Sequence, residues 1–308
     1  MSDAGARHVA GLCSILGRPS AGKSTLLNAL VGMKVAIVST KPQTTRTSVQ
    51  GVWTTPNSQV VFVDTPGIHK AGSQLSRRMM QGVRASLDGR DLLLFMVDAR
   101  LPFTEEDSHA VDMLRRAEAP VFLLLNKVDQ VKEKPILLAL IDRYRELAVD
   151  FAEFLPISAL RGEGMDELRK LILARMPERP PYFPEDEVTD QPERFLAAEF
   201  VREQVLHATR QEVPHAAAVA VDSWEELPNV TRVHATIYVE REGQKKIIIG
   251  AGGASLKQIG TRARLEIESL LGRKVYLQLL VKVRPGWRDS ESFLNELDWR
   301  TMAGGRQD

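Results

Sequence analysis

A glycine-rich octapeptide near the N-terminus constrains the fold of this chain more than any other feature. Residues 17–24 spell GRPSAGKS, which matches the pattern G-x-x-x-x-G-K-[ST]. The octapeptide follows an apolar strand predicted at residues 9–16 and opens a helix predicted at 23–31. Its glycines let the backbone curl so that N–H groups point inward, and the helix N-terminus adds partial positive charge. The pattern therefore predicts a phosphate-binding loop rather than an ordinary glycine turn.

The residue types in this loop predict separate roles toward a nucleotide. Lys23 would bridge the β- and γ-phosphates, and the Ser24 hydroxyl would bind Mg²⁺. The prediction of nucleotide binding covers the loop and the residue after it: Gly17, Arg18, Pro19, Ser20, Ala21, Gly22, Lys23, Ser24 and Thr25.

A second motif selects the base of that nucleotide. Asn126, Lys127 and Asp129 follow an apolar strand predicted at residues 121–125. A carboxylate at Asp129 can accept two hydrogen bonds from guanine N1–H and N2–H₂, whereas adenine would leave that carboxylate without donors. The sequence therefore predicts GTP as the substrate.

Three shorter motifs complete the predicted site. Asp64 at a strand end suits an outer-shell role toward Mg²⁺, and the Gly67 N–H would meet the γ-phosphate. One threonine of Gln43-Thr44-Thr45-Arg46 would bind Mg²⁺, and the backbone after a strand at 153–157 could hold the guanine O6. These motifs add Asp64, Thr65, Pro66, Gly67, Ser158, Ala159 and Leu160 to the nucleotide-binding prediction.

The order and spelling of these motifs, GRPxxGKST, QTTR, DTPGI and NKVD, resemble the Era-type subgroup of the translation-factor-like GTPases. The resemblance implies hydrolysis of GTP to GDP and phosphate, with Lys23 and Gly67 acting on the γ-phosphate. It also implies that Ser24, Thr45 and Asp64 form the Mg²⁺ site, because the family pattern favours Thr45 over Thr44.

Three residues at this site bear on its rate. Ile68 lies where Ras-like enzymes have a glutamine that orients water, so slow intrinsic hydrolysis is expected. The neighbouring His69 is expected to be solvent-exposed rather than a general base. Ser20 replaces the asparagine that helps hold K⁺ in potassium-stimulated relatives, which puts K⁺ stimulation in doubt.

Short apolar runs alternate with helical patterns through the first half of the chain. This alternation predicts an α/β domain with a mostly parallel sheet, at residues 1–177. Residues 178–193 carry six acids and one base and are rich in proline, which predicts an acidic linker.

The second half predicts a smaller α+β domain at residues 194–288, followed by a tail at 289–308. The predicted order is helix, strand, strand, helix, G-x-x-G, helix, strand, which resembles a type II KH domain. Residues 241–288 hold eleven bases and three acids, a footprint typical of a polyanion-binding surface. The RNA-binding prediction covers Lys245, Lys246, Gly250, Ala251, Gly252, Gly253 and Lys257. Ala251 replaces a lysine found in many relatives.

The pairing of a GTPase domain with a KH domain is the Era arrangement. It implies binding near the 3′ end of 16S rRNA, a role in 30S subunit assembly, and a cytoplasmic protein that we expect to be monomeric and to bind no DNA. Peripheral membrane attachment stays open. Two alternatives are a GTPase acting in tRNA modification and an RNA-binding scaffold that uses nucleotide only for stability. The formal net charge of the whole chain is +1, because the negative charge of the acidic linker and the positive charge of the second domain partly cancel.

Overall fold

The computed structural model describes residues 8–69, 72–147, 149–210 and 213–299. These residues form two compact units. The first unit takes the described residues within Met1–Ala36, Thr45–Lys70 and Arg78–Asp190, and the second takes those within Ile37–Thr44, Ala71–Arg77 and Gln191–Asp308. Two short segments from the first half of the sequence therefore belong to the second unit.

The first unit contains a six-stranded sheet with the strand order β2-β3-β1-β4-β5-β6. Only β2 runs antiparallel to its neighbour, so the prediction of a mostly parallel α/β sheet is confirmed. The strands are β1 (Val9–Gly17), β2 (Val49–Thr55), β3 (Ser58–Asp64), β4 (Leu92–Asp98), β5 (Val121–Asn126) and β6 (Phe151–Ile157). The helices are α1 (Lys23–Val31), α2 (Gln74–Ala85), α3 (Glu105–Asp112), α4 (Pro135–Arg145) and α5 (Met165–Arg175).

Two apolar layers cover the two faces of this sheet. On one face Leu27 of α1 and Ile172 of α5 pack with Phe62 and Phe122 of the strands. On the other face Tyr144 of α4 packs with strand residues and with α2 and α3. Burial of these side chains stabilises the sheet at roughly 1.5–3 kcal/mol per large apolar residue.

The register of the parallel strands brings the sequence motifs to one edge. Ile15 of β1 pairs with Asp64 of β3, and Asp98 of β4 pairs with Asn126 of β5. Ligands in open α/β sheets bind beyond the carboxyl ends of the strands. The motifs that follow β1, β3 and β5 therefore meet at the edge where such a fold binds its ligand.

The proline-rich segment after α5 is hydrogen-bonded to the first unit. The Ala10 N–H donates to the Pro177 carbonyl, and the Val52 N–H of the edge strand donates to the Val188 carbonyl. The Gln59 side chain accepts from the backbone N–H of Tyr182 at 2.7 Å. These hydrogen bonds satisfy backbone groups of a segment whose prolines prevent it from forming a helix.

The second unit contains a three-stranded sheet with the order β7-β8-β9, in which β7 and β8 are antiparallel and β8 and β9 parallel. The predicted order of elements around the G-x-x-G loop is confirmed. The helices are α6 (Glu193–Ala208), α7 (Val213–Ala216), α8 (Glu242–Ile249), α9 (Ala254–Leu271) and α10 (Glu291–Glu296). The strands are β7 (Ala218–Glu226), β8 (Thr231–Val239) and β9 (Val275–Val283).

Side-chain and strand partners set the bounds of two elements in this unit. β7 continues to Glu226 across a bulge after Val221, because β8 offers partners along its whole length. α8 begins at Glu242, where the Gln244 side chain accepts the Arg241 N–H at 3.0 Å and caps the helix.

Two cores hold the second unit together. Ile37, 3% exposed, packs with Val201 and Val205 of α6 in the larger core. Leu75 packs against the smaller core, which includes Trp287 and Phe293. No helix in the described part of the chain is long and apolar enough to cross a membrane.

Candidate nucleotide site and nucleic-acid interface

The phosphate-binding loop closes so tightly that its glycines are required. Gly17 has a φ of 143°, and a Cβ there would lie 2.2 Å from the Met96 carbonyl oxygen. Gly22 has a φ of 105°, and a Cβ there would lie 2.3 Å from Asn126 Nδ2. Other residues would be strained at these dihedrals and would also clash. The backbone can therefore approach a phosphate only with this pattern of residues.

Lys23 lies beneath the loop with its ammonium facing backbone oxygens. Its Nζ donates to the Gly17 carbonyl at 3.1 Å and to the Arg18 carbonyl at 3.0 Å. Burial lowers its pKa to about 8, and the nearby Asp64 carboxylate partly opposes that shift. A buried cation with only partial compensation attracts phosphate oxygens strongly, since little water screens the interaction.

Three side-chain oxygens converge beside this lysine. Asp64 Oδ2 accepts from Ser24 Oγ at 2.6 Å and from Thr45 Oγ1 at 3.1 Å, and the two hydroxyl oxygens lie 2.9 Å apart. By contrast, the Thr44 hydroxyl donates to the Lys41 carbonyl. The structure therefore brings together Ser24, Thr45 and Asp64, and not Thr44.

The surroundings of Asp64 suit a hard cation. This residue is fully buried, and its Oδ1 has no hydrogen-bond partner in the described part of the chain. Burial raises its pKa, against the opposing effects of Lys23 and of the Ser24 and Thr45 hydroxyls. A bound divalent cation would stabilise the carboxylate and take oxygen ligands of this kind, which Mg²⁺ prefers.

The segment after Asp64 lies against the phosphate-binding loop. A Cβ on Gly67 would lie 2.7 Å from Pro19 Cα, and the Ile68 N–H donates to the Gly17 carbonyl at 3.1 Å. Thr65 fixes the strand end through its hydroxyl, which donates to the Ile15 carbonyl at 2.8 Å. The segment after Asp64 is therefore in direct contact with the phosphate-binding loop.

The two side chains after Gly67 are partly or fully buried. Ile68 is 4% exposed and apolar. The expectation of a solvent-exposed His69 was wrong: the ring is half-buried, and its Nδ1 lies 2.6 Å from the Gly67 carbonyl oxygen. That contact holds the ring on the backbone of its own turn.

Asn126 ties the base-binding motifs to the phosphate-binding loop. Its Nδ2 donates to the Ala21 carbonyl at 2.8 Å, and its Oδ1 accepts the Ala159 N–H at 3.0 Å. Ser158 is fully buried, while Asp129 and Leu160 are exposed. The arrangement leaves the Asp129 carboxylate accessible to a base, with the Ser158–Leu160 turn fixed next to Asn126.

Lys127 also binds the phosphate-binding loop. It adopts a φ of 71°, and its Nζ donates to the Ser20 carbonyl at 2.7 Å and to Asp98 Oδ2 at 2.7 Å. Sequence analysis missed Asp98, although its place at the end of an apolar strand was the available signal. Arg100 also binds this carboxylate, and these hydrogen bonds outweigh burial and lower the pKa of Asp98.

In the second unit, the G-x-x-G loop opens onto a groove of about 420 Å³ between α9 and β9. Gly250, Gly252 and Gly253 all have positive φ, and a Cβ on Gly252 would meet open space. The groove is lined by Gly253, Leu256, Lys257, Gly260, Thr261, Arg264, Tyr276, Leu277, Gln278 and Leu279. The loop thus contributes Gly253 to the lining of a concave surface.

The predicted RNA-binding residues divide into two groups. Gly253 and Lys257 line the groove, whereas Lys245 and Lys246 lie on α8 outside its lining. In the described part of the chain, these three lysines form no ion pair, unlike Arg264, which pairs with an acid of its own helix. Sequence analysis missed the β9 wall, including Tyr276, which is 53% exposed.

Comparisons with known proteins agree with this geometry. A model described as a 50S ribosome-binding GTPase matches residues 12–127, and a KH domain model matches residues 212–288. GTPase Era of Lactobacillus delbrueckii subsp. bulgaricus is 49% identical over 294 residues, covering 95% of this chain and 97% of the relative. GTPase Era of Geobacter metallireducens is 48% identical, covering 94% of this chain and 97% of the relative. The chain belongs to the Era GTPase family.

Solved Era structures match both units. One is Era in complex with MgGDPNP and nucleotides 1506–1542 of 16S ribosomal RNA, with a TM-score of 0.90, 41% identity, and coverage of 95% of this chain and 99% of the other. Another is an Aquifex aeolicus Era variant bound to GDP and AlF₄⁻, with a TM-score of 0.89, 42% identity, and coverage of 94% and 99%. The predicted P-loop domain followed by a KH domain is confirmed.

This Era-family protein is a GTPase, as the sequence predicted. The Lys23 ammonium beside the phosphate-binding loop is a positive charge that attracts a triphosphate, and the oxygens of Ser24, Thr45 and Asp64 suit a divalent cation that would neutralise it further. Phosphoryl transfer depends mainly on such positioning and charge stabilisation. Because Ile68 cannot orient water, a slow intrinsic rate stays the prediction, and so does the doubt over K⁺ stimulation that Ser20 raised.

Proposed function

We propose that this Era-family GTPase is a switch that binds Mg²⁺ and GTP in its first unit and the 3′ region of 16S rRNA in its second, and assists assembly of the 30S subunit. The observation that carries the proposal is the match along 95% of the chain to an Era structure that holds both MgGDPNP and a 16S rRNA fragment. A ribosomal RNA partner supports a cytoplasmic location.

In this proposal, Ser24, Thr45 and Asp64 hold Mg²⁺, which would supply charge neutralisation at the β- and γ-phosphates. Lys23 donates to the phosphate oxygens, and the Gly67 N–H donates to the γ-phosphate. The closeness of Gly67 to Pro19 supports this role, since it places that N–H beside the phosphate-binding loop. Water then attacks the γ-phosphate without being oriented by the residue at position 68, because the Ile68 side chain has no polar group.

The proposed RNA site is the groove between α9 and β9. A tight glycine turn lets a phosphate approach the N-terminus of α9, and Lys257 adds positive charge next to it. Leu256, Leu279 and Tyr276 offer apolar and aromatic surface on which bases can stack. KH domains clamp about four nucleotides in this manner.

We also propose that the nucleotide state is coupled to RNA binding. The segment 37–44 belongs to the second unit, where Glu203 accepts the Val38 N–H at 2.8 Å and Arg202 donates to the Thr44 carbonyl. The next residue is Thr45, a proposed Mg²⁺ ligand. Likewise the Gln74 N–H donates to Asp289 Oδ1 at 2.8 Å. Both segments next to the nucleotide motifs are thus held by residues of the RNA-binding unit.

Changes in the G-x-x-G loop test the proposed RNA site. Gly252→Asp should lower affinity for a 3′-terminal 16S oligoribonucleotide by about tenfold or more, because it places a carboxylate where a phosphate binds, in space that is open. Lys257→Ala should lower the slope of log affinity against log salt by about 0.7, as one phosphate contact is lost. Fluorescence anisotropy over a salt series measures both quantities.

The matched control is Lys170→Ala, since Lys170 lies on α5 of the first unit and is 77% exposed. Its RNA affinity should equal that of the unchanged protein. Equal affinities for Gly252→Asp and the unchanged protein would overturn the assignment of the groove.

A further inference from the structure

Arg18 is part of the phosphate-binding loop, yet its side chain is directed to the start of α3. The guanidinium donates to Thr104 Oγ1 at 2.9 Å, to Asp107 Oδ2 at 2.8 Å and to Glu106 Oε2. The Asp107 side chain is 6% exposed, whereas that of Glu106 is 71% exposed. Solvent screens the outer contact much more than the inner one, so the Arg18–Asp107 pair is the stronger part of this cluster.

Asp107 is itself fixed by the fold. Its Oδ2 accepts the backbone N–H and the hydroxyl of Thr104, both at 2.9 Å, which completes the capping box of α3. Tyr144, 1% exposed, also hydrogen-bonds this carboxylate; burial and the negative charge of Asp107 raise the pKa of the phenol. A carboxylate held by a helix cap and a buried phenol gives Arg18 a rigid partner.

The main chain of Arg18 is hydrogen-bonded to the Lys23 ammonium. The Arg18 carbonyl oxygen accepts a hydrogen bond from Lys23 Nζ at 3.0 Å. The Gly17 carbonyl next to it accepts a second one at 3.1 Å. Arg18 therefore binds the start of α3 through its side chain and the Lys23 ammonium through its main chain.

We propose that Arg18, Asp107 and Thr104 form a brace between α3 and the phosphate-binding loop that positions Lys23 for phosphoryl transfer. Arg18 and Asp107 are then positioning residues, since they act through Lys23 rather than on the phosphates. Charge stabilisation in a transition state depends on donors that are already in place. A displacement of about 1 Å can lower a rate up to about a hundredfold.

Steady-state GTP hydrolysis by the full chain tests the brace through a double-mutant cycle. Arg18→Met and Asp107→Asn should each lower kcat about tenfold and change KM less than about threefold, because the ammonium is displaced while the other phosphate contacts stay. The double variant should be no slower than the slower single variant, since both changes remove the same contact. Arg18→Lys, which keeps a charge-assisted bond to Asp107, should recover kcat to within about threefold of the unchanged protein.

The control is Arg115→Met, which removes a surface ion pair with Asp112 whose side chains are about half exposed. Its kcat should not change. A kcat for Arg18→Met within about twofold of the unchanged protein, or losses that multiply in the double variant, would overturn the proposal. Circular dichroism and the stoichiometry of bound GDP check that each variant is folded, and Arg18→Gln replaces Arg18→Met, with the same thresholds, if the latter is not.

Discussion

Lys23→Ala is expected to lower the rate of GTP hydrolysis by about a hundredfold or more. The ammonium is buried, and among its described contacts it donates to the Gly17 and Arg18 carbonyls and to no carboxylate. In the proposed function its loss would remove a charge that is already in place where negative charge develops, and removal of one such donor costs about a hundred- to a thousandfold in rate. Single-turnover release of phosphate at saturating GTP measures the effect.

Two comparisons make this result interpretable. Lys170→Ala removes an exposed lysine of the same unit and should hydrolyse GTP at the unchanged rate. Circular dichroism reports whether Lys23→Ala is folded, since a buried polar contact is removed. Hydrolysis by folded Lys23→Ala within about threefold of the unchanged protein would contradict the role given to Lys23.

Asp129→Asn is expected to change the preferred nucleotide from GTP to XTP. The Asp129 carboxylate is exposed, and it follows Asn126 and Lys127, which connect the base-binding motif to the phosphate-binding loop. An asparagine amide donates where the carboxylate accepted, so it opposes the guanine N2–H₂ donor and suits the xanthine carbonyl. A nucleotide that leaves a donor or acceptor of the site unpaired binds much more weakly than one that pairs it. We therefore expect the affinity for GTP to fall at least about a hundredfold.

Competition of unlabelled GTP and XTP against a fluorescent GDP measures this exchange of preference. The unchanged protein should bind XTP at least about a hundredfold more weakly than GTP, and the variant should reverse that order. The Lys170→Ala protein again serves as the control. An unchanged order of affinities in Asp129→Asn would contradict the assignment of Asp129 to the guanine base.

Sequence alone predicted those parts of the molecule whose chemistry lies in short contiguous motifs. The octapeptide around Lys23 constrains its own conformation, because Gly17 and Gly22 need positive φ and close backbone approach. The same holds for the turn that follows Asp64 and for the G-x-x-G loop. In each case, neighbours in the sequence are also neighbours in the site.

The parts that sequence analysis missed depend on pairing between distant segments. Asp98 reaches Lys127 because β4 and β5 are in register, and Tyr276 lines the groove because β9 lies against α9. Ile37 belongs to the core of the second unit although it precedes most of the first. A local pattern can mark a residue, as the end of an apolar strand marks Asp98, but hydrophobic periodicity shows which face is buried and not against which element it packs.

We propose that one chain couples a guanine-nucleotide site to an RNA site. The most direct test of this coupling is the affinity of the full chain for an oligoribonucleotide carrying the 3′ sequence of 16S rRNA, measured with a non-hydrolysable GTP analogue and with GDP. GTP turnover is measured in the presence and absence of the same RNA. We predict affinities that differ at least about fivefold between the two nucleotides and a turnover that the RNA changes, while an RNA of shuffled sequence does neither. Equal affinities in the two states, with a turnover that the RNA leaves unaltered, would contradict the account.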